Sequence, residues 1–206
     1  MANVLAPQGF QEISVITGSG PNYAQNYTRR IAQGNTTAIF RGDPVVQLTS
    51  GYITQATAGT TQIAGIFMGC EYVSVSQGRT VRSNFWPGTS DAAADIAAFI
   101  IDWPDAVFRV QANAGPVTIS SVGQNANFAI GTGNTLNGFS GATLNVSTIA
   151  TTTTLPFRVL NFAGNTGYVV GDGAPAIVGN GSDGTTAYNF VYVRFNNQDS
   201  NSLTGI

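Results

Sequence analysis

The sequence predicts an all-β fold, a β-barrel or jelly roll or a β-tulip-like sandwich, with an extended N-terminal arm and long loops. Short apolar segments recur about every ten residues from Thr36 onward, with glycine- and proline-containing turns between them, as in barrels and sandwiches. The polar residues are mostly threonine, asparagine and glycine, including 25 Gly, and these residues favour strands and turns. Only 9% of the residues are charged, against about 25% in an ordinary globular chain.

The first 35 residues are predicted to form an arm, because Pro7, Gly18 and Pro21 interrupt any longer element. Only residues 13–17 have the character of a short strand. The polar and aromatic stretch 22–27 is expected to be an ordered arm rather than a helix.

A denser pattern of strands follows the arm. Residues 91–102 are ambiguous, because alanines and an N-capping Asp91 favour a helix, whereas the second half is rich in β-branched residues. We predict a strand at 95–102 in preference to a short helix. The other strands expected in this half are 38–40, 45–49, 52–56 and 63–68, followed by a hairpin of 71–75 with 80–85.

In the second half, clear alternation predicts strands at 106–112, 157–162 and 188–195. Residues 119–126 are expected to form one helical turn, 131–154 long loops with a weak strand at 142–149, and 164–184 a surface loop. The domain boundaries predicted from these elements are an arm at 1–35, one β-rich domain at 36–197 with 129–154 as an insertion, and a polar tail at 198–206.

The chain contains no histidine and no lysine, so all eight of its basic residues are arginines. Histidine is the usual general base and metal ligand, and lysine supplies Schiff-base and phosphate-binding groups. We therefore expect no enzyme activity, no cofactor and no metal site. The net charge of −2 gives no electrostatic reason to expect a nucleic acid or membrane partner.

Three local features are given structural interpretations. Cys70 lies in an apolar run and is expected to be a small buried side chain rather than a reactive thiol. The tripeptide Arg41-Gly42-Asp43, an integrin-binding motif in other proteins, is expected to be a tight turn because Pro44 and apolar strands surround it. The acidic residues at 91–105 match no calcium-binding loop.

Several segments together resemble a recurring pattern in tailed-bacteriophage structural proteins, the capsid decoration or cement proteins. The resemblance extends over residues 36–128 and 155–197. The segments that carry it are IFRGDPV at 39–45, IAGIFMGCEY at 63–72, FWP at 85–87, DWPDAVFRVQA at 102–112, GQNA at 123–126 and VYVRFNN at 191–197.

The resemblance implies a protein that binds the outside of an icosahedral phage head and bridges subunits of the major capsid protein, commonly as a homotrimer. It also implies location on the outer capsid surface of the virion after assembly in the host cytoplasm. Interface chemistry favours aromatic and arginine anchors, so Tyr23, Tyr27, Arg29 and Arg30 are the candidate contacts to the capsid or between subunits. Their alternative role is packing onto their own domain.

Two other functional classes remain open from the sequence. A tail- or fibre-associated module that binds a receptor or glycan would use loops rich in asparagine, tyrosine and tryptophan. An enzyme acting through carboxylates alone would need a pair of acidic residues, and no sequence feature singles out such a pair.

Overall fold

The computed structural model describes residues 4–15, 26–163 and 186–201. Over these residues the protein is all-β, as predicted, with twelve strands in two antiparallel sheets and 3-10 turns at Ile119–Ser121 and Asp199–Asn201. The choice between a barrel or jelly roll and a β-tulip-like sandwich stays a prediction. The strands are β1 (Gln11–Val15), β2 (Asn26–Ile31), β3 (Pro44–Gln47), β4 (Ile53–Gln55), β5 (Gly65–Ser74), β6 (Arg79–Ser83), β7 (Ile96–Ile101), β8 (Ala106–Gln111), β9 (Asn125–Ala129), β10 (Thr143–Ala150), β11 (Phe157–Phe162) and β12 (Phe190–Phe195).

The first sheet has the strand order β1-β8-β12-β11-β9-β10. Alternation of buried and more exposed residues is clearest on β12, since successive side chains of a strand lie on opposite faces. On β12, Val191, Val193 and Phe195 are buried, and the residues between them are half-buried. The buried face contributes to a core rich in phenyl rings, where Phe10 stacks on Phe157 with ring centroids 4.3 Å apart.

The second sheet has the order β2-β7-β5-β3-β4, and β6 pairs with the second half of β5. Its central strands β5 and β7 are apolar on both faces, because each face contributes to a different core. On β5, Ile66 belongs to the core shared with the first sheet, whereas Phe67 belongs to a second core. On β7, Ile101 belongs to the core shared with the first sheet and Ile100 to the second core. Burial on both faces accounts for the uninterrupted apolar run of β7.

The second core is closed by the segment around Trp86, which is fully buried. Trp86 and Ile39 exchange two backbone hydrogen bonds of 2.8 and 2.9 Å. The indole N–H donates to the carbonyl oxygen of Asn35 at 3.1 Å, and the ring of Tyr72 packs edge-on at 5.3 Å. The polar atom of the largest side chain is therefore satisfied inside the core, as burial requires.

The backbone of the turn at residues 41–43 connects the two sheets. The Gly42 N–H donates to the carbonyl of Phe67 on β5 at 2.7 Å, and the Gly42 carbonyl accepts from the N–H of Phe10, just before β1, at 2.9 Å. Arg41 exchanges two backbone hydrogen bonds of 2.9 Å with Gly138 and Ser140 in the loop before β10. Three separate parts of the chain thus meet at one turn.

Asp43 supplies the side chain at the centre of this junction and is 1% exposed. Its Oδ2 accepts from the Phe40 N–H and from Gln55 Nε2, both at 2.7 Å, and its Oδ1 accepts from the hydroxyl of Ser140 at 2.5 Å. Burial raises the pKa of Asp43 above its ordinary value of 3.8, although the three hydrogen bonds act in the opposite direction. The donors are what make burial of this carboxyl group tolerable.

The same junction requires glycine at two positions. Gly42 has a φ of +93°, and a Cβ there would lie 3.0 Å from the backbone nitrogen of Phe10. Gly9 has a φ of +71°, and a Cβ there would lie 2.7 Å from the carbonyl oxygen of Gly42. The two segments approach too closely, and in too unusual a conformation, for larger residues.

Most of the predicted strands are confirmed within a few residues. The ambiguous segment 95–102 is the strand β7, and the hairpin of β5 with β6 forms with Tyr72 opposite Val81. The helical turn expected at 119–126 is limited to Ile119–Ser121, and β9 begins at Asn125. The predicted surface loop at 164–184 lies outside the described residues.

The segments at the predicted domain boundaries contribute to the sheets. In the stretch predicted as an arm, β1 pairs with β8 in the first sheet and β2 pairs with β7 in the second. The stretch 129–154 contains the eight-residue strand β10, paired with β9. At the start of the predicted tail, Gln198 is buried and donates to the carbonyls of Ala64 and Asp102 at 3.2 and 2.7 Å.

We expect Asp43→Ala to lower the free energy of unfolding by about 3 kcal/mol or more, because it leaves the buried donors of Phe40 and Ser140, and the half-buried amide of Gln55, without their acceptor. Urea titration followed by tryptophan fluorescence measures the change. Asp105→Ala is the matched control, since Asp105 is exposed, and should change stability by less than about 0.5 kcal/mol. Equal effects of the two variants would contradict a structural role for the buried carboxylate.

The pH dependence of stability is a second test, because the pKa of Asp43 is raised and that of Asp91 is lowered, chiefly by its hydrogen bond from Ser74. The Asp43 contribution is complete below pH 3.8 and is lost as the pH rises through the folded pKa. The Asp91 contribution is complete above pH 3.8 and is lost as the pH falls through the folded pKa.

The free energy of unfolding of Asp43→Asn, minus that of the unmodified protein, should therefore increase as the pH rises from about 2 to about 7. The same difference for Asp91→Asn should decrease over this range. Urea titrations of the three proteins at a series of pH values measure both trends. Trends of the same sign for the two variants would refute the opposite pKa shifts assigned to Asp43 and Asp91.

Candidate functional site: a groove of arginine and aromatic side chains

The four predicted contact residues lie in or before β2. Tyr23 lies outside the described residues. Tyr27 lies within β2, and Arg29 and Arg30 follow it on the same strand, opposite Ala98 and Ala97 of β7. The sheet register thus places Tyr27, Arg29 and Arg30 on one strand of the second sheet.

Arg29 is engaged within the chain. Its Nη2 atom lies 3.1 Å from Oδ2 of Asp199, with side chains that are 18% and 6% exposed. Burial raises the pKa of Asp199, and the positive charge of Arg29 acts against that rise. The pair connects β2 to the 3-10 turn after β12, so packing onto its own domain accounts for Arg29.

Arg30 is exposed and lies on the rim of a different cluster. The hydroxyl of Tyr52 donates to Oδ2 of Asp95 at 2.8 Å, and this hydrogen bond raises the pKa of Tyr52. The charge of Arg30 acts in the opposite direction on Tyr52. Arg30 is therefore the predicted contact residue whose side chain the structure leaves at the surface.

A groove of about 320 Å³ lies beside the hairpin of β5 with β6. On one side the guanidinium of Arg82 lies over the ring of Phe99 at 4.7 Å. On the other, the guanidinium of Arg41 lies over the ring of Phe139 at 5.9 Å. Cation–π contacts of this kind hold a guanidinium plane in a defined orientation. The groove is lined by Arg41, Met68, Gly69, Arg82, Ser83, Asn84 and Phe99.

The sheet register explains why these side chains meet. Arg82 lies on β6 opposite Glu71 of β5, and β5 in turn pairs with β7, which carries Phe99. Phe139 is brought to Arg41 by the parallel bridge between these two residues. Stacking of Phe40 on Phe85 supports the adjoining backbone, with centroids 5.2 Å apart.

Exposed apolar side chains occur on the two segments that border the groove. Leu136, on the loop that carries Phe139, is 97% exposed. Val73 and Val75, at the end of the hairpin that carries Arg82, are 48% and 63% exposed. Exposed apolar side chains near arginines are a composition found at protein interfaces.

Sequence reasoning did not find this groove. The sequence indicates only a turn at Arg41, and Phe139 lies in a stretch predicted to form loops. No local signal pairs Arg41 with Phe139, because the contact depends on how the loop before β10 returns to the turn. The one signal in the sequence is Arg82 itself, a cation on a predicted hairpin strand, and it lies exposed in the structure.

Other polar and reactive groups have structural roles. Cys70 is buried, and burial raises the pKa of its thiol to about 12, so the nucleophilic thiolate is not formed near neutral pH. Asp43 is buried at the junction, so the Arg41-Gly42-Asp43 turn does not present its carboxylate to a receptor. Among the described residues, no group of three or more acidic or cysteine side chains is arranged to hold a metal ion.

Hydropathy gives one further result. Within residues 4–15, 26–163 and 186–201, no helix has the length and apolar character needed to cross a membrane.

We expect Arg29→Ala to lower the free energy of unfolding by about 3 kcal/mol, because it leaves the buried Asp199 carboxylate without its ion-pair partner. The double variant Arg29→Ala with Asp199→Asn should recover part of this loss. Arg30→Ala, the exposed neighbour on the same strand, should change stability by less than about 0.5 kcal/mol. Urea titration measures all three, and an Arg29 variant as mild as Arg30→Ala would show that Arg29 does not stabilise the domain.

Comparison with known proteins adds no relative to these observations. No family model matches the chain, and no curated protein or solved structure matches it.

Proposed function

We propose that this protein is a structural component of a bacteriophage virion that decorates the outside of an icosahedral head and bridges subunits of the major capsid protein. It acts as a homotrimer and by binding, without catalysis. Support for the partner comes from the sequence resemblance to capsid decoration proteins over residues 36–128 and 155–197. Support for the mode of action comes from the surface chemistry of the fold.

The observation that carries the proposal is the groove between Arg41 and Arg82. Each guanidinium lies over a phenyl ring, at 5.9 and 4.7 Å, so part of the ordering cost of a long side chain is met before binding. Arginine makes planar, bidentate contacts with carboxylates and carbonyls of a partner. The groove therefore has the chemistry to bind a protein surface. The segments that border it add the exposed apolar side chains of Leu136, Val73 and Val75.

The weak charge of the chain supports the same role. A head carries many copies of a decoration protein close together, and a net charge of −2 over 206 residues produces little repulsion between them. The absence of histidine from the sequence removes the side chain that ordinarily titrates between pH 5 and 8. Contacts made by such a surface stay constant through mild acidification.

Binding to phage heads that lack the protein is the direct test. We expect the purified chain to co-sediment with such heads and to raise the temperature at which they open. Arg41→Ala and Arg82→Ala should each weaken binding about tenfold or more, because each removes an anchor of the groove. Failure of the unmodified protein to bind these heads would refute the proposal.

Arg79→Ala is the matched control. Arg79 lies on the same strand as Arg82, is exposed, and its Nε donates to the side chain of Gln77 at 2.9 Å. Its binding should equal that of the unmodified protein. Unchanged melting temperatures would show that the groove variants are folded. The proposed homotrimer is tested separately, by sedimentation equilibrium of the purified protein.

A further inference from the structure

The outer face of the first sheet carries three arginines on neighbouring strands. Arg109 lies on β8, Arg194 on β12 and Arg158 on β11, and β12 is the middle strand of the three. On each strand the flanking residues are apolar and face the phenyl-rich core, so the arginines lie on the opposite face. We call this surface the arginine face.

The strand register brings these cations together. Arg158 is directly opposite Arg194, and Arg194 is directly opposite Val107. Arg109 is two residues beyond Val107 on β8 and is therefore a diagonal neighbour of Arg194. Directly opposite residues have Cβ atoms about 5 Å apart, and diagonal neighbours about 7 to 8 Å apart. The three guanidinium groups can thus reach one bound segment.

Among the residues that the structure describes, Arg109, Arg158 and Arg194 make no ion pair with a carboxylate. The Nε of Arg158 donates to Oδ1 of the buried Asn125 at 3.1 Å, which is a neutral acceptor. Arg109 lies over the ring of Phe190 at 4.1 Å. The Nε of Arg194 is buried and has no hydrogen-bond partner in the part of the chain that the structure describes. Asp105, at the start of this part of the sheet, is exposed and makes no ion pair with the three arginines among the described residues.

This arrangement has an energetic cost that binding can offset. Like charges placed directly opposite each other in a sheet are destabilising, and a buried donor without a partner costs about 1 to 3 kcal/mol. An anion between Arg158 and Arg194 would offset the repulsion between these two like charges. Such a ligand would be held by charge-assisted, bidentate hydrogen bonds.

The surroundings favour a protein ligand over a nucleic acid. Phe190 and Tyr192 lie on the same face of β12 as Arg194, and aromatic residues beside arginine are typical of protein interfaces. Three cations on a chain of net charge −2 are few for a phosphate backbone, whose binding depends on many neutralised phosphates. Carboxylates two residues apart in an extended segment lie on one side, about 7 Å apart, which matches the spacing of the arginine face.

We propose that the arginine face, formed by Arg109, Arg158 and Arg194, binds an acidic segment of a partner protein in extended conformation. The inference concerns a different surface from the groove between Arg41 and Arg82. It stands independently of binding to a phage head.

Fluorescence anisotropy with a labelled peptide of alternating glutamate and serine tests the proposal on the full chain at low ionic strength. We expect saturable binding that Arg158→Met and Arg194→Met each weaken about tenfold, because each removes a charge-assisted contact while keeping an apolar stem. Arg79→Met, an exposed arginine on the hairpin outside this face, should bind like the unmodified protein.

Thermal unfolding separates loss of binding from loss of fold. Arg194→Met removes one of two opposed like charges, so its melting temperature should equal or exceed that of the unmodified protein. Arg158→Met also loses the hydrogen bond to the buried Asn125 and should therefore melt below Arg194→Met. Absence of peptide binding, or equal weakening by Arg79→Met, would overturn the proposal. Tighter binding of a labelled single-stranded DNA through the same arginines would overturn the assignment of a protein partner.

Discussion

The buried carboxylate of Asp43 is the interaction on which the rest of the structure depends. It accepts hydrogen bonds from the Phe40 N–H in the segment before β3, from β4 through Gln55, and from the loop before β10 through Ser140. Gln55 belongs to the second sheet, Phe40 lies on the segment that leads into it, and the loop of Ser140 leads into the first sheet. A packed core can tolerate small changes in position, but a carboxylate with three fixed donors holds its partners within a few tenths of an ångström. The groove depends on this fixed point, since Arg41 precedes Asp43 by two residues.

The structure also shows how a chain with few charges satisfies its buried polar groups. Neutral amide side chains take the connecting roles that ion pairs have in other proteins. Gln111 is 2% exposed; it accepts from the Ala6 N–H and donates to the carbonyls of Val4 and Tyr188. Asn189, fully buried, both donates to and accepts from the backbone of Val117. An amide has donors and acceptors together and avoids the desolvation cost of an isolated charge.

The sequence predicts elements whose burial is decided locally and misses those decided at long range. Alternation identifies β8 and β12, and the continuous apolar run identifies β7, because these patterns follow from which faces are covered. Of the side chains of β2 that the structure describes, Ile31 is fully buried and the other two are arginines, so the pairing of β2 with β7 leaves little trace in the sequence. The candidate contacts illustrate the same limit. For Arg29 the sequence leaves contact with a partner and packing onto its own domain as alternatives, because its ion-pair partner Asp199 lies far along the chain, in the 3-10 turn after β12.

The position of β12 in the first sheet governs the order in which the protein can fold. β12 is the last strand along the described chain, yet it lies between β8 and β11. Until residue 195 has left the ribosome, β12 is missing from its place between β8 and β11. Each of these two apolar strands then has an unpaired edge. Such edges are templates for pairing with other chains. Completion of the sheet is therefore a late and non-local event, which slows folding and favours aggregation of truncated chains.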